Sequence, residues 1–91
     1  MKFAVIVGDV EKTRVEYRSN QLLGSTIIKV NNEPVKKIMH LVNDPVLEVH
    51  SFVVGTDEKT SVRIEKQRKP LLGYTSRLFV NDRLMQVYQG L

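Results

Sequence analysis

Apolar and polar residues alternate along much of this chain with a period of two, the repeat of an extended strand that buries one face. Between Thr13 and Arg18, the residues Thr13, Val15 and Tyr17 share one parity and Arg14, Glu16 and Arg18 the other. Between Thr60 and Gln67, Val62 and Ile64 read as inward, while Ser61, Arg63, Glu65 and Gln67 read as outward. Further short β-rich runs cover Lys2 to Val7, Ser25 to Val30, Val35 to His40, Tyr74 to Val80 and Leu84 to Tyr88. From Val46 to Val54 both parities carry apolar residues, Leu47, Val49 and Val53 on one and Val46, Phe52 and Val54 on the other, which predicts a strand buried on both faces along part of its length. Turn signals separate the runs at Ser19-Asn20-Gln21, Gly24, Asn43-Asp44-Pro45, Gly55 to Lys59 and Lys69 to Gly73. Val35, Ile38, Met39 and Val42 also fall at helical spacing, with Pro34 suited to a first helical position, so a short helix over 35–42 competes with a strand there.

An internal echo favours the strand. Thr26-Ile27-Ile28-Lys29-Val30-Asn31-Asn32 returns in outline about fifty residues later as Ser76-Arg77-Leu78-Phe79-Val80-Asn81-Asp82, and a second strand-like run follows each copy. Asn and Asp tolerate the left-handed backbone of a tight hairpin, so each copy reads as two antiparallel strands joined by a two-residue turn. Pro34 cannot donate a ladder hydrogen bond and belongs at a strand start or on a sheet edge. The expectation is an all-β fold, an antiparallel meander of about seven or eight strands forming a β-sandwich or flattened barrel. Its predicted core is Val5, Val15, Tyr17, Ile28, Val30, Leu47, Val49, Phe52, Val62, Ile64, Leu78 and Val80.

Ninety-one residues fit a single domain, 1–91, with 42% hydrophobic and 26% charged residues, as in an ordinary globular chain. Met1 to Val7 is basic and then apolar, but Gly8-Asp9 interrupts the run, so a first strand is expected and not a leader. No stretch reaches the length of a helical membrane span. Cysteine is absent, which removes disulfides, thiolate metal sites and cysteine nucleophiles and points to the cytoplasm.

In order, the landmarks Thr13-Arg14-Val15-Glu16-Tyr17, Gly24-Ser25, Val30-Asn31-Asn32, Phe52-Val53-Val54-Gly55, Thr60 to Ile64, Tyr74 and Phe79-Val80-Asn81-Asp82 span the chain from Phe3 to Gly90. This sequence of landmarks resembles one β-sandwich module of the Fas apoptotic inhibitory molecule family. The chain departs from that family in having Asn31-Asn32 and Asn81-Asp82 where the family places Gly, in lacking Trp, and in having room for one module where the family generally holds two. The resemblance implies a non-catalytic interaction module; no functional residue of the family matches a position here.

Candidate chemistry is sparse. His40 and His50 are the two histidines, and Glu48 shares a strand face with His50, but two ligands fall short of a metal centre, and no metal or cofactor is expected. Neither a nucleophile elbow nor a phosphate loop occurs, so no catalytic residue is assigned and the chain does not read as an enzyme. The net charge of +4 raises an acidic partner, and Arg63, Lys66, Arg68, Lys69 and Arg77 form the candidate nucleic-acid surface. Leu84, Met85, Val87 and Tyr88 form the candidate interaction edge, since this last strand lacks protection of the kind that Pro34, Lys36 and Lys37 give the first hairpin. The leading functional expectation is a small protein-interaction module, pairing with a partner or with itself as a homodimer; a weak electrostatic nucleic-acid binder is the alternative.

Overall fold

A computed structural model describes residues 1–20, 23–39 and 45–90. It contains eight strands, β1 (Lys2–Val7), β2 (Thr13–Asn20), β3 (Ser25–Val30), β4 (Glu33–Met39), β5 (Leu47–Val54), β6 (Thr60–Arg68), β7 (Tyr74–Val80) and β8 (Arg83–Gly90). They form two antiparallel four-stranded sheets, β1-β2-β3-β4 and β5-β6-β7-β8, each a simple meander, and the sheets do not close on one another. Among the described residues no helix is long and apolar enough to cross a membrane. The 33–39 segment is a strand, as the echo predicts, and Pro34 lies on an edge strand. Residues 40–44, which include His40 and most of the Asn43-Asp44-Pro45 turn, lie outside the described residues, as does Gln21.

The two sheets repeat one design. Both β3-β4 and β7-β8 turn through two residues with positive φ, Asn31 (49°) and Asn32 (68°) in one and Asn81 (49°) and Asp82 (64°) in the other. Both hairpins carry an irregularity at the same place, between Ile28 and Lys29 and between Leu78 and Phe79. In each, the first Asn reaches back to the neighbouring strand: Arg14 N–H donates to Asn31 Oδ1 and Ser61 N–H to Asn81 Oδ1, both at 3.0 Å. The repeat also extends N-terminal to the hairpins. Val7-Gly8-Asp9-Val10-Glu11-Lys12-Thr13 matches Val54-Gly55-Thr56-Asp57-Glu58-Lys59-Thr60 at five of seven positions.

That second echo forms a reciprocal clasp between the sheets. Glu11 Oε1 accepts the N–H groups of Thr56 (2.9 Å), Asp57 (2.8 Å) and Glu58 (3.0 Å), and Oε2 accepts the Thr56 hydroxyl at 3.0 Å. In return, Glu58 Oε1 accepts the N–H groups of Asp9 (2.9 Å), Val10 (3.0 Å) and Glu11 (3.2 Å). Each turn therefore presents its amides to the other turn's carboxylate, and hydrogen bonds to an ionised acceptor are the stronger class. Gly8 (φ +96°) and Gly55 (φ +93°) make the tight backbone possible; a Cβ at either would run into the carbonyl oxygen of Glu11 or Glu58.

Buried residues of both sheets form one cluster, with Phe3, Val7, Val15, Tyr17 and Ile28 from the first and Val54, Val62, Ile64 and Leu78 from the second. Val5, Val30, Phe52 and Val80 pack partly against it. Leu47 (55% exposed) and Val49 (47%) depart from the predicted core. β5 is an edge strand with one buried face, and that face carries Glu48, His50, Phe52 and Val54, so the apolar residues of the other parity point outward. Phe3 stacks on Tyr17 (centroids 4.8 Å apart) and on Tyr88 (3.8 Å, nearly parallel), joining β1 to β8 across the two sheets.

The clasp generates a pH signature. Backbone hydrogen bonds from Thr56, Glu58 and Asp57 lower the Glu11 pKa to about 2. A carboxylate with a depressed folded pKa stabilises above its unfolded value, near 4.5, and that contribution disappears as pH falls towards about 2. Glu11→Gln is expected to lower the urea midpoint at pH 7, with the gap from the unmodified protein closing over that acid window.

Candidate functional surfaces and a buried polar cluster

Strand parity sorts the candidate residues onto three distinct sites. The outer face of β5-β8 carries Arg63, Glu65 and Arg77, with Arg63 opposite Phe79 and Glu65 opposite Arg77. Arg63 Nε lies 3.0 Å from Glu65 Oε2 and Nη1 2.9 Å from Asp82 Oδ1, and its guanidinium sits 4.1 Å from the centre of the Phe79 ring. Arg77 donates to Gln67 Oε1 at 3.0 Å and Lys69 to Gln89 Oε1 at 2.7 Å. Arg68 is half-buried at the strand end. The predicted basic strip is thus broken into separately engaged side chains.

Lys66 is not on that surface at all: it is 1% exposed, on the core face of β6. The alternation that turns Val62 and Ile64 inward turns Lys66 inward too, and this parity was the available signal. Its Nζ donates to Thr26 Oγ1 of the opposite sheet at 2.9 Å, lies 3.6 Å from Glu48 Oε2, and sits 4.6 Å from the centre of the Tyr74 ring. Glu48 Oε1 is in turn 2.7 Å from His50 Nε2, with the imidazole 1% exposed. Glu48 and His50 do meet as their spacing on one strand face suggests, but the third member is an ammonium where a metal centre needs another ligand. Among the described residues no group of three His, Cys, Asp or Glu gathers.

The internal repeat shows how this cluster is specified. A shift of 47 residues places His50 over Phe3, Glu48 over Met1 and Lys66 over Ser19. One end of the interior therefore stacks aromatic rings, and the equivalent end holds a carboxylate, an imidazole and an ammonium. Burial lowers the His50 pKa, Glu48 opposes this, and the cations Lys36 and Lys66 reinforce it. The neutral imidazole is accordingly favoured at pH 7. Thr26, whose hydroxyl accepts from Lys66, is fully buried.

The candidate edge divides. β8 borders its sheet, and Leu84 (53%), Met85 (59%) and Val87 (42%) are exposed. Tyr88 is not part of that surface, because its ring faces inward onto Phe3, and burial raises its pKa.

Two measurements follow from the cluster. A lowered folded pKa at His50 contributes stability above its unfolded value near 6.5 that is lost on acidification below it, and His50→Phe, which installs the residue of the equivalent site, is expected to remove that component. Lys66→Met removes the buried cation beside Glu48 and His50; it is expected to destabilise the fold by roughly 3 kcal/mol and to raise the His50 pKa read from its ring resonances by NMR. An unchanged His50 titration in Lys66→Met would contradict the geometry. In comparisons with known proteins, no family model, no curated protein and no solved structure matches this chain.

Proposed function

We propose that this chain is a non-catalytic β-sandwich interaction module that pairs through the edge of β8 with a protein strand, in the first instance that of a second copy. The shared buried cluster, the Phe3–Tyr88 stack and the Lys66–Thr26 hydrogen bond support a face-to-face arrangement of the two sheets. The order of landmarks shared with the Fas apoptotic inhibitory molecule family supports the same reading, as does the withdrawal of His50, Lys66 and Thr26 from solvent. The absence of cysteine fits a reducing cytoplasm.

The observation that carries the proposal is the contrast between two equivalent edges. The hairpins β3-β4 and β7-β8 share turn, irregularity and register, so a shift of fifty residues aligns their outer strands. On β4 the edge carries Pro34, Lys36 and Lys37; the same positions on β8 carry Leu84, Gln86 and Val87. Proline removes a donor and lysine repels or solvates an incoming strand, both recognised ways to block edge pairing. One edge is guarded and its twin is apolar, and strand addition uses such an open edge, with alternate side chains supplying specificity.

The internal repeat also supplies the test, because β4 demonstrates that the guard residues are compatible with this hairpin. Transplanting them as Leu84→Pro, Gln86→Lys and Val87→Lys is expected to leave the circular dichroism spectrum unchanged. Sedimentation equilibrium is expected to give a dimer for the unmodified protein and a monomer for the triple variant. An unmodified protein that stays monomeric, or a variant that dimerises equally well, would overturn the proposed edge.

A further inference from the structure

The outer face of the β1-β4 sheet carries a more one-sided charge distribution than the outer face of its partner sheet. Register places Lys2 beside Arg18, Arg18 beside Ile27 and Ile27 beside Lys37, so three cations lie in a single row across the four strands. The next row runs Ala4, Glu16, Lys29, Pro34, and Arg14 follows beside Ile6. Five basic side chains and one acidic one, Glu16, therefore occupy this face, against two basic and one acidic on the outer face of the other sheet. The excess equals the whole chain's net charge of +4.

The charges are also available. Lys2, Arg18, Lys29 and Lys37 are exposed, and among the described residues their side chains form no ion pair or hydrogen bond. Glu16 is engaged by Arg14, whose Nε lies 3.1 Å from Oε1. The face is hollow: an open depression of about 470 Å³ is bordered by Lys2, Arg14, Arg18 and Lys29 and by the carboxylate of Glu16, with Ala4 and Ile27 in its lining.

We infer that this face binds the phosphate backbone of a nucleic-acid duplex without reading its sequence. Three features of the surface select that partner. Adjacent strands are about 4.8 Å apart, so the Lys2–Arg18–Lys37 row spans roughly 15 Å; a single phosphate contacts only part of it, whereas a duplex, with one charge per roughly 1.7 Å of axis, engages all of it. The depression suits a convex rod better than a flat bilayer, and Ala4 and Ile27 offer little apolar surface to insert into one. No aromatic side chain points outward from this sheet, since Phe3 and Tyr17 face the interior, so the stacking that favours single strands is missing. The site is separate from the β8 edge, which lies in the other sheet, and either proposal stands without the other.

The test is fluorescence anisotropy with a labelled 20-base-pair mixed-sequence DNA duplex, across a salt series, for the unmodified protein and two variants. Arg18→Gln with Lys29→Gln is expected to weaken binding at least tenfold and to reduce the slope of log K against log salt by about two. Arg63→Gln with Arg77→Gln, on the opposite sheet, is expected to leave affinity within about twofold. Unfolding midpoints for both variants establish that lost binding is not lost structure. The inference is overturned by absent duplex binding at low salt or by equal loss in the two variants. It is likewise overturned if single strands, phosphatidylserine vesicles or polyglutamate bind more tightly than the duplex.

Discussion

The frame rests on two carboxylates, Glu11 and Glu58, each accepting three backbone N–H groups from the turn that holds the other. Hydrogen bonding within a meander ties each sheet together but does not relate one sheet to the other. Apolar burial joins the sheets, yet it is non-directional and tolerates sliding. The clasp supplies the missing direction, because the six amides are fixed in turns that only Gly8 and Gly55 permit, and a carboxylate satisfies three of them at a time. The pattern has the reciprocity of an isologous interface, in which residue i contacts j and j contacts i, although both halves here belong to one chain.

A repeated frame allows its two halves to diverge where divergence costs little. Equivalent interior positions hold Phe3 in one half and His50 in the other, so one end of the core is an aromatic stack and its counterpart a buried Glu48–His50–Lys66 cluster. Equivalent edges hold Pro34 and Leu84. Equivalent outer faces hold an excess of cations on one sheet and engaged, mixed charges on the other. Buried charge is weak evidence for stability, since a well-packed apolar cluster often does as well. Here Lys66 binds Thr26 across the sheets and thereby registers one against the other, a role that the aromatic stack fills at the opposite end.

Period-two alternation and the Asn-containing turns carried most of the fold. Thr13, Val15 and Tyr17 do point inward, the 33–39 segment is a strand, and all four turn residues adopt positive φ. Apolar content in β5 does not mark burial on both faces: an edge strand needs one inward face, and its inward face uses Glu48 and His50. Lys66 sits among charged residues in the sequence, but its parity with Val62 and Ile64 places it inside. The cationic face was illegible from any one segment, since Lys2, Arg18, Lys29 and Lys37 come from four strands and only register brings them together. The clasp was written in the sequence as the second copy of Val-Gly-x-x-Glu-Lys-Thr, but hydrophobic patterning does not weigh a polar turn.

Amide hydrogen exchange by NMR tests the clasp most directly. Slow exchange is expected at Asp9, Val10 and Glu11 and at Thr56, Asp57 and Glu58, with a crossed response to mutation: Glu11→Gln exposes 56–58 and Glu58→Gln exposes 9–11. Exchange at unprotected loop rates in the unmodified protein, or mutations that expose only their own turn, would contradict it.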